Sequence, residues 1–346
     1  MQYEAEILPG LERFAAAELE RRFGRAVAVE EQAEPGDLPF TFEGDAYDLL
    51  QLRTAVAVYK VLRYDIPRPR ALLGHQHLTR LVEAIEEVQR LHPPRSFRTF
   101  RFSAAGRDSS VFMRLKDEIA AQTGLQNDPE EADLLMRVRP APGEARGWDV
   151  LVRLSPRPLA TRHWRVCNMP GALNATIAAA MVELTQPRED DFFLNPMCGS
   201  GTLLIERLGR LPADIAAGCD TDLNALACAR QNVAEAGLGH RLDLLELDAT
   251  DLQGIPDGAC TALAADLPWG QLVGEQAELE WLYPAALGEW ARVAAPGARL
   301  VVVTHMVELF EGLLGEVAPL WALVDVVKVF QGGLHPRIYV LVRTDR

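Results

Sequence analysis

Two segments about seventy residues apart carry side chains whose types and spacing could do chemistry. They are Asn195-Pro-Met-Cys-Gly-Ser-Gly-Thr-Leu-Leu-Ile-Glu206 and Ala265-Asp-Leu-Pro-Trp-Gly270. The first reads as a glycine loop between a strand and a helix, the place where an α/β sheet holds a cofactor. The second puts a carboxylate, a proline-shaped backbone and an aromatic ring at the end of another strand.

In the first segment, Gly199 and Gly201 let the main chain approach a ligand without a Cβ in the way. The helix that starts near Thr202 offers free N–H groups and a partial positive charge to a carboxylate. Asp220 closes the next apolar run, where it could accept both hydroxyls of a ribose; Asp248 closes the third, within reach of an adenine amino group. A loop and two acids on successive strand ends match the three parts of S-adenosyl-L-methionine. The loop also half-matches a dinucleotide fingerprint, which keeps a nicotinamide dehydrogenase open as a reading. Against it, the third glycine is missing and no phosphate-binding basic residue follows the loop. A turn that binds nothing, with Asp220 and Asp248 as helix caps, is the plainest alternative.

In the second segment, Asp266 and the Leu267 carbonyl supply two acceptors. An exocyclic base nitrogen is a poor nucleophile because its lone pair is delocalised into the ring. Accepting hydrogen bonds from both of its N–H groups draws density back to that nitrogen and holds it facing a methyl donor. Pro268 shapes the turn and Trp269 stacks on the base and excludes water. The alternative is a turn with a packing tryptophan.

These segments need a sheet to position them. Asp191–Leu194, Ile215–Cys219, Leu242–Leu247, Cys260–Ala265 and Ala298–Thr304 are short apolar runs ending near turn residues, as buried parallel strands do. Helical patterns lie between them, including Leu223–Ala236 with Asp222 as N-cap and Gly237 as stop, and Leu279–Val293. This alternation predicts a doubly wound, Rossmann-like sheet. A helix over about 306–317 follows, then β-rich runs Trp321–Phe330 and Pro336–Arg343. The five residues between those runs are too few for a parallel crossover, so an antiparallel hairpin must close the sheet.

The N-terminal half predicts a small α+β arrangement. Strands are expected at Met1–Leu8, Ala26–Val29, Phe97–Ala104, Leu134–Val138 and Trp148–Ser155. Helices are expected at Leu11–Phe23, Ala46–Val58, Leu78–Leu91 and Val111–Thr123. Pro156-Arg-Pro-Leu through Pro170-Gly171 reads as a linker.

Charge divides along the same line. The chain of 346 residues carries −14, with 24 basic and 25 acidic groups in residues 1–170 against 11 and 24 beyond. Within 53–114 there are 12 basic and 5 acidic groups, a region where a polyanion could bind, or else a solvated arginine face. The N-terminus shows no signal-peptide pattern, and no apolar run is long enough to span a bilayer. Five cysteines with no C-x-x-C pair suggest free thiols in a reducing cytoplasm and no zinc site.

The Asp266-Leu-Pro-Trp-Gly270 segment resembles the D-L-P-F-G form of the THUMP-domain RNA guanine-N2 methyltransferases. Three further stretches are similar to that family: Arg162-His-Trp-Arg165 through Pro170–Met181, the Asn195–Glu206 loop, and Gln331-Gly-Gly-Leu-His-Pro-Arg337. Met1–Glu12 resembles its opening strand and helix. Asn195 departs from the family's aspartate, and Leu267 from its commoner proline.

The resemblance implies a ferredoxin-like unit over 1–60, a THUMP RNA-binding domain over 61–155, a linker over 156–170 and a class I methyltransferase domain over 171–346. It implies methylation of tRNA guanosine, at position 6 of the acceptor stem, with S-adenosyl-L-methionine as donor and no metal. The expected cofactor residues are Asn174, Thr176, Asn195, Met197, Cys198, Gly199, Ser200, Gly201, Thr202, Asp220, Thr221, Asp248, Ala249 and Asp266. The catalytic turn is Asp266, Leu267, Pro268 and Trp269. RNA contacts are assigned to Arg95, Arg98, Arg101, Arg107 and Arg114, with Arg162, Arg165 and Arg337 nearer the reacting base. The chain is read as a cytoplasmic monomer. Ribosomal RNA guanine or adenine-N6 methylation, and an RNA-binding module with a vestigial cofactor fold, are the alternatives.

Overall fold

The computed structural model describes residues 1–30, 34–143, 147–270 and 276–345. The chain divides into two units, Met1–Ile7 with Ala15–Ala160, and Leu8–Phe14 with Thr161–Arg346.

The first unit is built on one mixed sheet. Its strands are β1 (Gln2–Glu6), β2 (Val27–Val29), β3 (Asp37–Phe42), β4 (Ala57–Tyr64), β5 (Thr99–Ala104), β6 (Gln126–Asn127), β7 (Leu134–Pro140) and β8 (Trp148–Arg153), in the spatial order β2-β3-β1-β4-β8-β7-β5-β6. The helices along this part of the chain are α1 (Glu12–Phe23), α2 (His75–Arg90) and α3 (Ser110–Thr123). Helix α2 shows why it forms: Leu78, Leu81, Val82, Ile85 and Val88 recur at helical spacing and are all buried. The stretches expected over 1–60 and 61–155 share this sheet, because β4 pairs antiparallel with β8 over Tyr59–Tyr64.

One expected helix is absent. Ala46–Val58 contains only a 3₁₀ segment, Ala46–Gln51, capped by the Asp45 carboxylate on the Tyr47 N–H at 2.9 Å. The chain then leaves the helical path because the buried Glu18 carboxylate accepts from the Arg53 and Thr54 N–H groups at 3.0 and 2.9 Å. Strand β4 begins at Ala57. Strand β3 also went unread, since Pro39 interrupts its pattern.

The second unit carries the predicted doubly wound sheet. Its strands are β9 (Phe192–Asn195), β10 (Ile215–Asp220), β11 (Asp243–Glu246), β12 (Cys260–Asp266), β13 (Ala294–Thr304), β14 (Trp321–Lys328) and β15 (Arg337–Arg343). Their order is β11-β10-β9-β12-β13-β15-β14. The first five pair in parallel, and β15 inserts antiparallel between β13 and β14, which is the hairpin the short connection required. Helices α4 (Ala175–Leu184), α5 (Thr202–Arg210), α6 (Leu223–Glu235), α7 (Gln276–Val293) and α8 (Val307–Val317) accompany it.

Close helix–strand packing has a visible cause at Gly218 on β10, where a Cβ would come within 2.4 Å of Leu204 of α5. Trp290, Tyr283, Phe310 and Tyr339 are fully buried in a core shared by α7, α8 and the sheet. One expectation is corrected here. Cys167 and Cys228 are joined by a disulfide, while Cys198, Cys219 and Cys260 are free and buried. The sequence separation of 61 between the two partners hid a pairing that the placement of α6 creates.

Candidate active site

Strands β9, β10 and β12 end side by side, and the turns that follow them enclose a cavity of about 450 Å³. That lies within the range of roughly 300–1,000 Å³ usual for small-molecule sites. The loop after β9 is tied down by its own backbone: the Cys198 N–H donates to the Cys219 carbonyl and the Gly201 N–H to the Cys198 carbonyl, each at 2.8 Å. Gly201 has a φ of +82°, and a Cβ there would crowd Ala229 of α6 at 3.3 Å. Helix α5 therefore starts without a side-chain cap, and Gly199 faces open space.

The two strand-end acids are already oriented. Asp220 accepts from the Gly199 N–H at 2.8 Å with one oxygen and from the Asp222 N–H at 3.0 Å with the other. Each carboxylate oxygen has two acceptor sites, so both can still take a ribose hydroxyl. Asp248 accepts from the Thr250 N–H and hydroxyl through Oδ1 at 2.8 and 2.7 Å. Its Oδ2 has no partner among the described residues. Asn195 donates to the Ala264 carbonyl at 2.8 Å and the Met197 carbonyl at 3.2 Å, which ties β9 to β12. Its Oδ1 is buried and unpartnered among the described residues. Acceptors for an amine and for a ribose, an uncapped helix start and an open glycine together fit a nucleoside with an amino-acid tail. Burial pushes the Cys219 thiol up to about 12 and Cys198 higher still, so neither is a nucleophile at neutral pH.

The turn after β12 completes the cavity. Asp266 lines it and receives no hydrogen bond from the described residues. Burial pushes its carboxyl up to about 7. The Leu267 N–H donates to the Val303 carbonyl at 3.0 Å, locking the turn to β13. The Tyr283 hydroxyl donates to the Pro268 carbonyl at 2.6 Å and pairs with the Thr304 hydroxyl at 3.0 Å. Trp269 stacks on His305, with ring centroids 3.8 Å apart and planes 25° from parallel. One ring face is thus covered. Burial holds His305 below its ordinary range and favours the neutral imidazole.

Of the expected cofactor residues, Asn195, Met197, Cys198, Gly199, Ser200, Thr202, Asp220, Thr221, Asp248, Ala249 and Asp266 line this cavity together. Asn174, Thr176 and Gly201 are absent from its wall. Asn174 instead caps α4, accepting from the Thr176 N–H and hydroxyl at 2.8 and 2.7 Å. Sequence reasoning missed the wall formed by Met169–Leu173 and by Leu282. Pro170-Gly171 looked like the end of a linker, and nothing in its composition marked it as a cavity wall.

The arginines fall into two groups. Arg95, Arg98, Arg107 and Arg114 are exposed and Arg101 is half-buried, all on the first unit. Arg162 is held by Glu206 at 2.9 Å, with side chains 8% and 0% exposed. Arg165 donates to the Leu173 carbonyl and the Thr202 hydroxyl at 2.8 and 2.9 Å. Both hold the incoming segment onto α5. Arg337 bonds Glu311. Among the described residues, no cluster of His, Cys, Asp or Glu could hold a metal, and no helix is long and apolar enough to cross a membrane.

The tRNA (guanine(6)-N(2))-methyltransferase THUMP3 of Bos taurus is 30% identical over 189 residues, covering 51% of this chain and 37% of that protein. The tRNA (guanine(6)-N2)-methyltransferase of Methanocaldococcus jannaschii is 25% identical over 215 residues, covering 51% of this chain and 56% of that protein. The chain thus spans between a third and just over half of these relatives. The crystal structure of TrmN from Thermus thermophilus superposes with a TM-score of 0.77 at 24% identity, over 99% of both chains, and shares the fold. The family model described as RMKL-like, methyltransferase domain matches residues 162–337, and with that match across half its length the chain belongs to the RMKL-like methyltransferase family.

Proposed function

We propose that this protein transfers a methyl group from S-adenosyl-L-methionine to the N2 amino group of a guanosine in tRNA. The observation that carries the reading is the Asp266–Trp269 turn facing the same cavity as Asp220 and Asp248. When bound, the donor supplies an electrophilic methyl on its sulfonium. Asp220 orients the ribose, Asp248 reaches the adenine amino group, and Met197, Thr221 and Ala249 complete the walls. Asp266 and the Leu267 carbonyl accept the two N–H groups of the base and direct the nitrogen lone pair at the methyl. As the new N–C bond forms, the bond between that methyl and the sulfonium would break and release S-adenosylhomocysteine, while a proton would leave the nitrogen for the Asp266 carboxylate. Trp269 offers its uncovered face to the base.

The names of the relatives support tRNA as substrate and guanosine 6 as the position. The basic stretch within 53–114 supports RNA binding by a ferredoxin-like and THUMP pair in the first unit, with Arg95, Arg98, Arg101, Arg107 and Arg114 on phosphates. A monomer acting in the cytoplasm fits this reading. Nucleoside mass spectrometry on tRNA from a deletion strain is the test. N2-methylguanosine should disappear and return when purified protein and labelled donor are added. An unchanged nucleoside profile, or loss of N6-methyladenosine instead, overturns the assignment.

A further inference from the structure

Arg165 is a half-buried cation behind the cavity wall with no carboxylate of its own. Its Nη2 donates to the Leu173 carbonyl and the Thr202 hydroxyl, and both of those residues line the cavity. Its Nε is buried and meets no acceptor among the described residues. The neighbouring carboxylate that could neutralise it, Glu206, is committed to Arg162. Burial pulls the Arg165 guanidinium below its ordinary value, Glu206 partly restores it, and Arg162 opposes that. A charge removed from water without a counter-ion is unfavourable, and the guanidinium stays protonated under these conditions. Arg162 and Arg165 thus share the single carboxylate of Glu206.

Thr202 shows where a further anion belongs. Its hydroxyl accepts from Arg165, so its single proton remains to be donated elsewhere. Among the described residues its further hydrogen-bond partner is the Ser200 hydroxyl at 3.5 Å, at the limit of a hydrogen bond. Thr202 is 3% exposed, so water satisfies it poorly, yet it borders the cavity. A hydroxyl polarised by a guanidinium and pointing its proton away from it is built for a carboxylate.

We infer that Arg165, acting through Thr202, positions the carboxylate of the methyl donor's amino-acid tail. Arg165 is here a positioning residue, and the inference rests on reading the cavity as a donor site. It also accounts for Arg165 turning inward while Arg95, Arg98, Arg107 and Arg114 face solvent.

Calorimetry with two nucleosides tests it without turnover. S-adenosylhomocysteine carries the amino-acid tail and 5′-methylthioadenosine lacks it. Wild-type protein should prefer the tailed nucleoside. Arg165→Met and Thr202→Val should each lower its affinity about tenfold and leave 5′-methylthioadenosine within about twofold. Arg165→Lys and Thr202→Ser should retain most of the preference. They also keep the test informative if Arg165→Met folds poorly, which melting curves report. Equal losses for both nucleosides would make Arg165 only a strut of the loop 169–173 and overturn the inference. Unchanged affinity for S-adenosylhomocysteine overturns it as well. A wild-type protein that binds both nucleosides equally sinks the inference and spares the donor reading, whereas one that binds neither overturns both.

Discussion

The Tyr283 hydroxyl donates to the Pro268 carbonyl at 2.6 Å, so that acceptor of the turn is already engaged, and on the proposed reading the Leu267 carbonyl is the one that serves the base. Tyr283 is fully buried on α7 and its hydroxyl also meets Thr304 at the end of β13. A neighbouring helix thereby holds the turn to the end of β13. Tyr283→Phe frees the Pro268 carbonyl and should lower kcat about tenfold while S-adenosylhomocysteine affinity stays constant. The lost hydrogen bond should cost about 1 kcal/mol of stability. Steady-state kinetics beside denaturant melts check both, and an unaltered kcat would show that the turn holds itself.

Asp266 sets a pH dependence. Its carboxyl, raised from 3.8 to about 7, must be ionised to accept from the base. Wild-type kcat/KM should climb about tenfold per pH unit below 7 and level off above it. The raised value means that the fold favours the protonated acid. That stabilisation is complete below about pH 4 and is lost as the pH rises through 7. Asp266→Asn should therefore match wild-type stability at pH 4 and exceed it at pH 8, by on the order of 1–4 kcal/mol. The same variant should lose methyl transfer and keep donor affinity. A flat stability difference between those pH values would contradict the burial of the carboxylate.

Asp220 and Asp248 should not be equal. Asp220 anchors the Gly199 N–H as well as lining the cavity, whereas Asp248 is exposed and spends one oxygen on Thr250. Asp220→Ala should weaken S-adenosylhomocysteine about 10- to 100-fold and Asp248→Ala less than tenfold. Titration calorimetry would expose a reversed ranking.

Trp269 and His305 form a two-ring stack, and on the proposed reading the other indole face takes the base. Trp269→Ala should raise KM for tRNA about tenfold, with Trp269→Phe recovering part of it. His305→Ala should do the same more weakly, and His305→Phe should restore the stack. Donor affinity is the control that separates stacking from a collapsed cavity.

Binding through the exposed arginines of the first unit should be strongly salt-dependent. Fluorescence titration of tRNA between about 50 and 200 mM salt should show the affinity dropping by more than an order of magnitude. Removing Arg98 and Arg114 together should flatten that slope. A salt response unchanged by the double replacement would move the phosphate contacts elsewhere.

Much of this was legible before any coordinates. Apolar runs such as Leu300–Val303 specify buried parallel strands by local composition, and the short Gln331–His335 connection forces an antiparallel hairpin by chain length. Glycine and acid at strand ends mark a cofactor loop by their own backbone and charge properties. So the sheet, the Asn195–Thr202 loop and the Asp266–Trp269 turn could be read from neighbours in the chain. What required the fold are relationships between distant residues. Arg162 and Arg165 were assigned to RNA near the reacting base, and only the fold shows that α5 brings Glu206 and Thr202 against them. Asn174 had the chemistry of a ligand, but its Oδ1 caps the local helix start, the partner closest to hand. The Cys167–Cys228 bond and the Tyr283–Pro268 bond join segments with no common pattern. Local sequence specifies which groups can do chemistry, whereas only packing decides which of them already have a partner.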